Sequence, residues 1–393
     1  MEFSIIHFPR SWDAAQDEHV IDAIIEQSLE ADRLGFKGVF FPEHHFHGYS
    51  PSGSAPFQIA SYVAPQLKQA WLGMAVVVVP LHHPVHLVEQ MNLLDHLAKG
   101  KVLYGIGSGI HAEEGVGFGL DYDYQIKSMT TENLEIAEKL WAHTLEDPPY
   151  HFETPNYSGW LFERIVPAPY RKKRPNIMGV ASRDSSITRA ARNGWPVFVS
   201  GFMGRERFIA SLRKYRHELV TAGHAPAVLK HCMDWTTETF QGLFVAETDE
   251  QAFKDMYATM EGHERFRLRQ LPFMQEAERV GGVSQANLRI RPPATDPSYY
   301  TRWCLWGSPD TIAKKMQTLA DVGLGNVLLS FNNGLYDDER RKLTERSMQL
   351  FVKEVMPRFT SQKTPADPLA IDLGGTPASE KPAAASAERV GYD

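Results

Sequence analysis

Short β-rich segments alternate with longer amphipathic segments along most of the chain, and this alternation restricts the possible folds more than any other feature. Residues 71–79 are apolar throughout, as expected of a parallel strand covered on both faces, and residues 85–98 have helical spacing and end at Lys99-Gly100. Eight strand-then-helix units predict an α/β protein with a parallel sheet. Their number favours closure into a (β/α)8 TIM barrel, with an open doubly wound sheet as the alternative. The predicted strands are residues 3–8, 38–41, 71–79, 102–106, 176–180, 196–200, 240–246 and 326–331.

Two segments depart from this pattern. Residues 262–303 are long and charged and contain Gly-Gly and Pro-Pro, so they predict a long insertion before the last strand. The insertion is either a mobile lid or a surface excursion. Residues 361–393 are rich in Pro, Ala, Ser and Gly, which predicts a disordered C-terminal tail. The chain is therefore expected to form a single domain over residues 1–360.

Composition and charge exclude several classes of protein. Hydrophobic residues make up 43% of the 393 residues, enough to build a large core. With 41 Lys and Arg against 48 Asp and Glu, a simple nucleic-acid binder is disfavoured, and no attraction to an anionic membrane is expected. The sequence has no membrane-length apolar run, no signal-peptide pattern and only two cysteines, Cys232 and Cys304. These features predict a cytoplasmic protein.

Histidines and carboxylates follow three of the predicted strands, where the chemistry of such barrels is found. Neutral imidazole suits proton transfer near pH 7. A metal site is the competing interpretation, but adjacent histidines point apart in an extended chain and no His-x-His follows the first strand. The residues concerned are Glu43, His44 and His45 after the second strand, His82 and His83 after the third, and His111, Glu113 and Glu114 after the fourth.

A possible phosphate site follows the fifth predicted strand. Residues 180–186 read Val-Ala-Ser-Arg-Asp-Ser-Ser and precede a helix. Hydroxyl groups, an arginine and a helix N-terminus suit a phosphate. Ordinary capping of the helix by Ser or Asp is the alternative.

Together these motifs resemble the bacterial luciferase-like flavin monooxygenases over residues 1–358. The resemblance implies a two-component monooxygenase that uses reduced FMN (FMNH2) and O2. It would act through a flavin C4a-(hydro)peroxide on a small to medium apolar organic substrate. It also implies a separate NAD(P)H:flavin reductase and a homodimer. The motifs are Glu43-His44-His45-Phe46, Val79-Pro80-x-x-His83-Pro84-Val85, Leu94-Asp95-x-x-x-Lys99-Gly100, the glycine-rich segment 105–109, Gly307-Ser308-Pro309 and Leu350-Phe351-x-x-x-Val355-Met356-Pro357.

The resemblance also implies roles for particular residues. The catalytic histidine corresponds to His44 and its carboxylate partner to Glu114, and Glu43 and His45 are also expected to be catalytic residues. The flavin-ring strand, with a non-proline cis peptide, corresponds to Ala75-Val76. The remaining implied cofactor-binding residues are Gly107, Ser108, Ile110, Val180, Ala181, Ser182, Arg183 and Ser186.

The sequence departs from the family pattern at several of these positions. Gly107 replaces the luciferase cysteine, Ser108 the following arginine, and Ser182 the phosphate-site glutamate. A further phosphate arginine has no counterpart, and Lys127 is the nearest substitute. The rival functions are a deazaflavin (F420) oxidoreductase of the same fold, a metal-dependent hydrolase and a non-catalytic flavin-binding protein. Aromatic candidates for a substrate pocket are Phe46, Tyr49, Trp160, Phe202 and Trp235.

Overall fold

The strands of the chain close into a parallel barrel in a computed structural model, which describes residues 1–46, 51–109, 111–121, 125–171, 173–199, 204–282, 304–332, 334–335 and 337–373. The order around the barrel is β1-β8-β7-β6-β5-β4-β3-β2. The expected (β/α)8 architecture is therefore confirmed, and the open sheet is not found. The barrel strands are Glu2–Ile6 (β1), Gly38–Phe41 (β2), Trp71–Val78 (β3), Val102–Gly107 (β4), Asn176–Val180 (β5), Val197–Val199 (β6), Thr237–Phe240 (β7) and Asn326–Leu329 (β8).

Helices follow the strands. In α3, His83 caps the N-terminus by accepting from the Val85 N–H, and the helix ends before Lys99 and Gly100, which both have positive φ. Within the described residues, no helix is long and apolar enough to cross a membrane. The helices are Asp17–Arg33 (α1), Pro56–Val63 (α2), Pro84–Leu97 (α3), Ala112–Gly117 (α4), Gln125–Ala142 (α5), Asp184–Asn193 (α6), Arg205–Thr221 (α7), Pro226–Trp235 (α8), Asp249–Gly281 (α9), Pro309–Ala320 (α10) and Asp338–Leu350 (α11).

The described residues form two compact units. The first unit contains residues 9–177 and the described residues 267–282. The second unit contains residues 1–8, residues 178–266 and the described residues from 304 onward. In the first unit β2, β3 and β4 are neighbours, with Gly38 opposite Trp71 and Leu72 opposite Val102. In the second unit the rings of Phe3 and Phe351 pack edge to face with their centroids 4.9 Å apart. Their contact forms part of a buried apolar core.

The seventh strand differs from the sequence prediction of residues 240–246. The barrel strand is Thr237–Phe240, and Gly242–Val245 instead pairs in parallel with Cys304–Gly307 in a separate two-stranded sheet. The barrel strand escaped prediction because it has no apolar run. Its Thr237 and Glu238 are nevertheless buried, and Thr237 Oγ1 accepts from Asn326 Nδ2 at 3.1 Å.

The two segments outside the strand–helix pattern are only partly described. The first part of the predicted insertion is helical, because α9 continues to Gly281 with Pro272 inside it. Residues 283–303 lie outside the described residues, so the lid stays a prediction. In the segment assigned to the tail, Arg213 Nη2 donates to Leu373 O at 3.0 Å. Residues 361–373 are thus attached to the second unit, whereas residues 374–393 lie outside the described residues and their disorder stays a prediction.

Candidate active site

Glu43, in the loop after β2, is a buried carboxylate that joins two histidines. Its Oε1 accepts from His45 Nε2 at 3.0 Å and from His82 Nε2 at 2.8 Å, and its Oε2 accepts from the Val78 N–H at 2.6 Å. Burial raises the pKa of Glu43, but the hydrogen bonds from His45 and His82 outweigh that effect and leave the pKa below its usual value. Because an ionised carboxylate only accepts, both imidazoles carry a proton on Nε2.

Glu114, in the first turn of α4, is a second buried carboxylate that binds the loop after β2. Its Oε1 accepts from His44 Nδ1 at 3.0 Å and from the His45 N–H at 3.0 Å. Burial raises the pKa of Glu114, and the hydrogen bond and charge interaction with His44 more than reverse this. The contact between His44 and its expected partner is therefore present.

The surroundings of His44 favour a neutral imidazole. Burial lowers the pKa of His44, and the hydrogen bond to Glu114 only partly offsets it. With the Nδ1 proton directed at a carboxylate, the lone pair of the neutral ring lies on Nε2. This arrangement can accept a proton at a defined atom.

Two phenylalanines extend the histidine loop with apolar surface. Phe46 has a φ of +71° and is 63% exposed, and its ring centroid is 5.2 Å from that of Phe118. A Cβ on Gly117 would come within 2.3 Å of the Phe46 ring, so the glycine makes room for it. Among the other aromatic candidates, Trp160 stacks on His151 in a hairpin and Trp235 is buried at the end of α8. Tyr49 and Phe202 lie outside the described residues.

The predicted flavin-ring strand has the expected backbone. The peptide bond between Ala75 and Val76 is cis, and both side chains are half-buried in the second half of β3. A Cβ on Gly107 would lie 2.7 Å from Val76 Cγ2, so a larger residue at position 107 requires the Val76 side chain to move. Ser108 Oγ accepts from Thr130 Oγ1 at 3.0 Å. Ile110 lies outside the described residues.

In the predicted phosphate loop, residues 180–186, one residue caps the following helix and others have exposed side chains. Ser186 Oγ accepts from the Arg183 N–H at 3.1 Å and donates to Arg183 O at 2.9 Å, so Ser186 caps α6. Val180 ends β5, Ala181 is buried, and the side chains of Ser182 and Arg183 are exposed.

A further arginine, Arg207, lies next to this loop and was not predicted. Arg207, in the first turn of α7, is exposed, and its Nη2 donates to Ser182 O at 3.1 Å. The available signal was its position at the start of the helix after β6. The side chain of Lys127 lies outside the described part of the chain. In that part no cluster of three or more His, Cys, Asp or Glu side chains is arranged to hold a metal ion.

Comparisons with known proteins agree with this architecture. A family model described as luciferase-like monooxygenase matches residues 1–325. The chain is 24% identical to an alkanal monooxygenase alpha chain of Photorhabdus luminescens, over 88% of this chain and 92% of that one. It is 25% identical to the chain of the same name from the Kryptophanaron alfredi symbiont, over 56% of this chain and 60% of that one.

Solved structures also have this fold. The monooxygenase RslO1 from Streptomyces bottropensis superposes with a TM-score of 0.73 at 20% identity, over 92% of this chain and 100% of that one. The oxygenating constituent of 3,6-diketocamphane monooxygenase from Pseudomonas putida, a type II Baeyer-Villiger enzyme in complex with FMN, superposes with a TM-score of 0.69. Its identity is 21%, over 91% of this chain and 98% of that one.

The carboxylate of Glu43 is expected to stabilise the fold. In Glu43→Gln an amide NH2 group replaces one of the two carboxylate oxygens and must face one of the N–H donors that surround Glu43. The free energy of unfolding at pH 7 should therefore fall by about 1–3 kcal/mol. Because the pKa is lowered in the folded state, the stabilisation is fully present above the ordinary value of 4.5 and is lost as pH falls through the lower folded value. Urea unfolding measured from pH 7 to well below the ordinary carboxyl pKa of 4.5 tests both statements.

The exposed Glu135 provides the control, since Glu135→Gln on α5 removes a carboxylate without disturbing a buried network. If Glu43→Gln is as stable as Glu135→Gln at pH 7, the Glu43 carboxylate does not hold together the loop after β2, which carries His45, and the loop after β3, which carries His82.

Proposed function

The chain belongs to the luciferase-like monooxygenase family, and from this premise we propose that it is a two-component flavin monooxygenase. It takes reduced FMN from a separate NAD(P)H:flavin reductase and uses O2 to oxygenate a small to medium apolar organic substrate in the cytoplasm. We also propose a homodimer, which the exposed Tyr62 of α2 and Leu93 and Leu97 of α3 support. Sedimentation of the full chain distinguishes a dimer from a monomer.

The observation that carries this proposal is the contact of His44 Nδ1 with Glu114 Oε1 at 3.0 Å. A buried carboxylate that fixes the tautomer of a neutral imidazole makes an oriented general base. His44 accepts a proton at Nε2, and Glu114 stabilises the imidazolium that results. Glu43 holds His45 and His82 and so keeps the loop that carries His44 in place.

The residues present fit the phosphate group of FMN. Arg183 and Arg207 are two exposed guanidinium groups at one loop, beside the Ser182 hydroxyl and the N-terminus of α6. This donor set suits a phosphate dianion. Arg207 takes the part of the family arginine that has no counterpart in the sequence, whereas Ser186 serves the helix cap.

The residues in the second half of β3 fit the flavin ring. Ala75 and Val76 present half-buried apolar side chains, and the following Val77 is buried, so this surface excludes water from a flat ring. Bound reduced FMN supplies the two electrons that activate O2. The exposed rings of Phe46 and Phe118 suit an apolar substrate beside the histidine loop.

Replacing His44 tests the role of the base. His44→Ala is expected to bind reduced FMN as tightly as the wild type but to lower the yield of oxygenated product by about 100-fold or more, with H2O2 released instead. The measurement supplies reduced FMN and ¹⁸O2 with a panel of aliphatic aldehydes and cyclic ketones, and follows ¹⁸O in the products by mass spectrometry. His151→Ala, in the hairpin, is the control.

The rival functions give distinct results in the same assay. An unchanged ¹⁸O yield in His44→Ala rejects the role of His44. Reduced FMN bound without oxygenation of any acceptor in the panel supports a non-catalytic flavin-binding protein. Substrate reduction or oxidation with F420 in the absence of O2 supports the deazaflavin enzyme.

The phosphate site is tested with two flavins that differ only in the phosphate. Arg183→Ala and Arg207→Ala are each expected to weaken reduced FMN binding by about tenfold or more and to leave riboflavin binding unchanged, because riboflavin has no phosphate. Arg205→Ala, at the start of the same helix as Arg207, is the matched control. Anaerobic fluorescence titration gives both dissociation constants, and equal losses for FMN and riboflavin would reject the site.

A further inference from the structure

A second imidazole lies against His44. His111 precedes α4, and its ring centroid is 5.1 Å from that of His44, with the planes at 71°. The His44 side chain is 14% exposed and the His111 side chain 24% exposed, so both rings are largely removed from water. Two imidazoles therefore share one partly enclosed region.

Each of these imidazoles has its own carboxylate. Glu113 and Glu114 are consecutive in the first turn of α4, where side chains point about 100° apart. Glu114 Oε1 is 3.0 Å from His44 Nδ1, and Glu113 Oε1 is 3.4 Å from His111 Nδ1. The helix thus assigns one carboxylate to each ring, and Glu114 also accepts the His45 N–H.

The surroundings shift the pKa values of the two rings in opposite directions. Burial lowers the pKa of His44 more than Glu114 raises it, and the charge of His111 lowers it further. Burial also lowers the pKa of His111, but Glu113 and Glu114 outweigh that effect and the pKa is raised. The buried Arg10 lowers the pKa of both rings. When their surroundings move the pKa values of two neighbouring groups in opposite directions, one group is set up as an acid and the other as a base.

We propose that His111, held by Glu113, carries the single positive charge of this histidine pair at neutral pH and thereby keeps His44 neutral and able to accept a proton at Nε2. This inference rests on the proposed role of His44 as the base. His111 acts through His44, so it is a positioning residue rather than a catalytic one. Its charge makes the base available at a lower pH than an isolated histidine would allow, because a second positive charge on the pair is repelled.

The proton distribution can be measured on the full-length, flavin-free protein with ¹⁵N- and ¹³C-labelled histidine rings. NMR titration gives the pKa of each ring, and the His44 signal is assigned by its loss in His44→Gln. In the wild type His44 should titrate below His111. In His111→Gln the pKa of His44 should rise by roughly one pH unit, and Glu113→Gln should shift it in the same direction by less.

A charge-retaining variant separates electrostatics from packing. His111→Lys keeps a positive charge and should leave the pKa of His44 close to its wild-type value, whereas a purely structural role for the ring would make His111→Lys behave like His111→Gln. His151→Gln, in the hairpin, is the control for removing a histidine elsewhere. If His111→Gln does not fold, a rise in the His44 pKa in Glu113→Gln, together with an unchanged His44 pKa in His111→Lys, carries the same test.

Two results would overturn the proposal. One is a His44 pKa that is unchanged in His111→Gln or in Glu113→Gln, and the other is a wild-type His44 that titrates above His111. The titration needs neither flavin nor substrate, so it can succeed where oxygenation fails. Loss of the proposed function is thus distinguished from loss of the proton assignment.

Discussion

A carboxylate that is removed from water must have its charge compensated by hydrogen bonds, and this requirement acts twice in the candidate active site. Glu43 is compensated by His45, His82 and the Val78 N–H, and Glu114 by His44 and the His45 N–H. An unpaired buried charge costs several kcal/mol, so these contacts are obligatory once the glutamates are buried. They fix which ring nitrogen carries the proton in each imidazole, and the chemistry available to His44 follows from that.

The barrel brings these residues together because three of its strands are neighbours. The strands β2, β3 and β4 lie side by side in one compact unit, in parallel register. Their carboxyl ends, and the loops that follow them, therefore lie at the same end of the unit. Residues far apart in the sequence, Glu43, His82 and Glu114, meet there without any long excursion of the chain. The same unit contains Ala75 and Val76 in the second half of β3.

The sequence predicted what depends on local pattern and on family motifs, and it failed where packing decides. The barrel class and seven of its eight strands follow from apolar runs, and the contact of His44 with Glu114 follows from the resemblance. The strand Thr237–Phe240 was missed because it has no apolar run, and its buried Thr237 accepts from Asn326, a partner distant in sequence. The pairing of Arg207 with the Ser182 carbonyl depends on how α7 packs, which no local pattern records.

Two of the departures from the family pattern fit particular neighbours. Gly107 lies against Val76, whose Cγ2 would be 2.7 Å from any Cβ at that position. Ser108 accepts a hydrogen bond from Thr130 through its side-chain hydroxyl. A site that has lost its function would accumulate substitutions that are independent of their neighbours. Here Gly107 and Ser108 each fit a particular neighbour, and the two buried glutamates keep their hydrogen bonds to the histidine loop, which favours an adapted site over an eroded one.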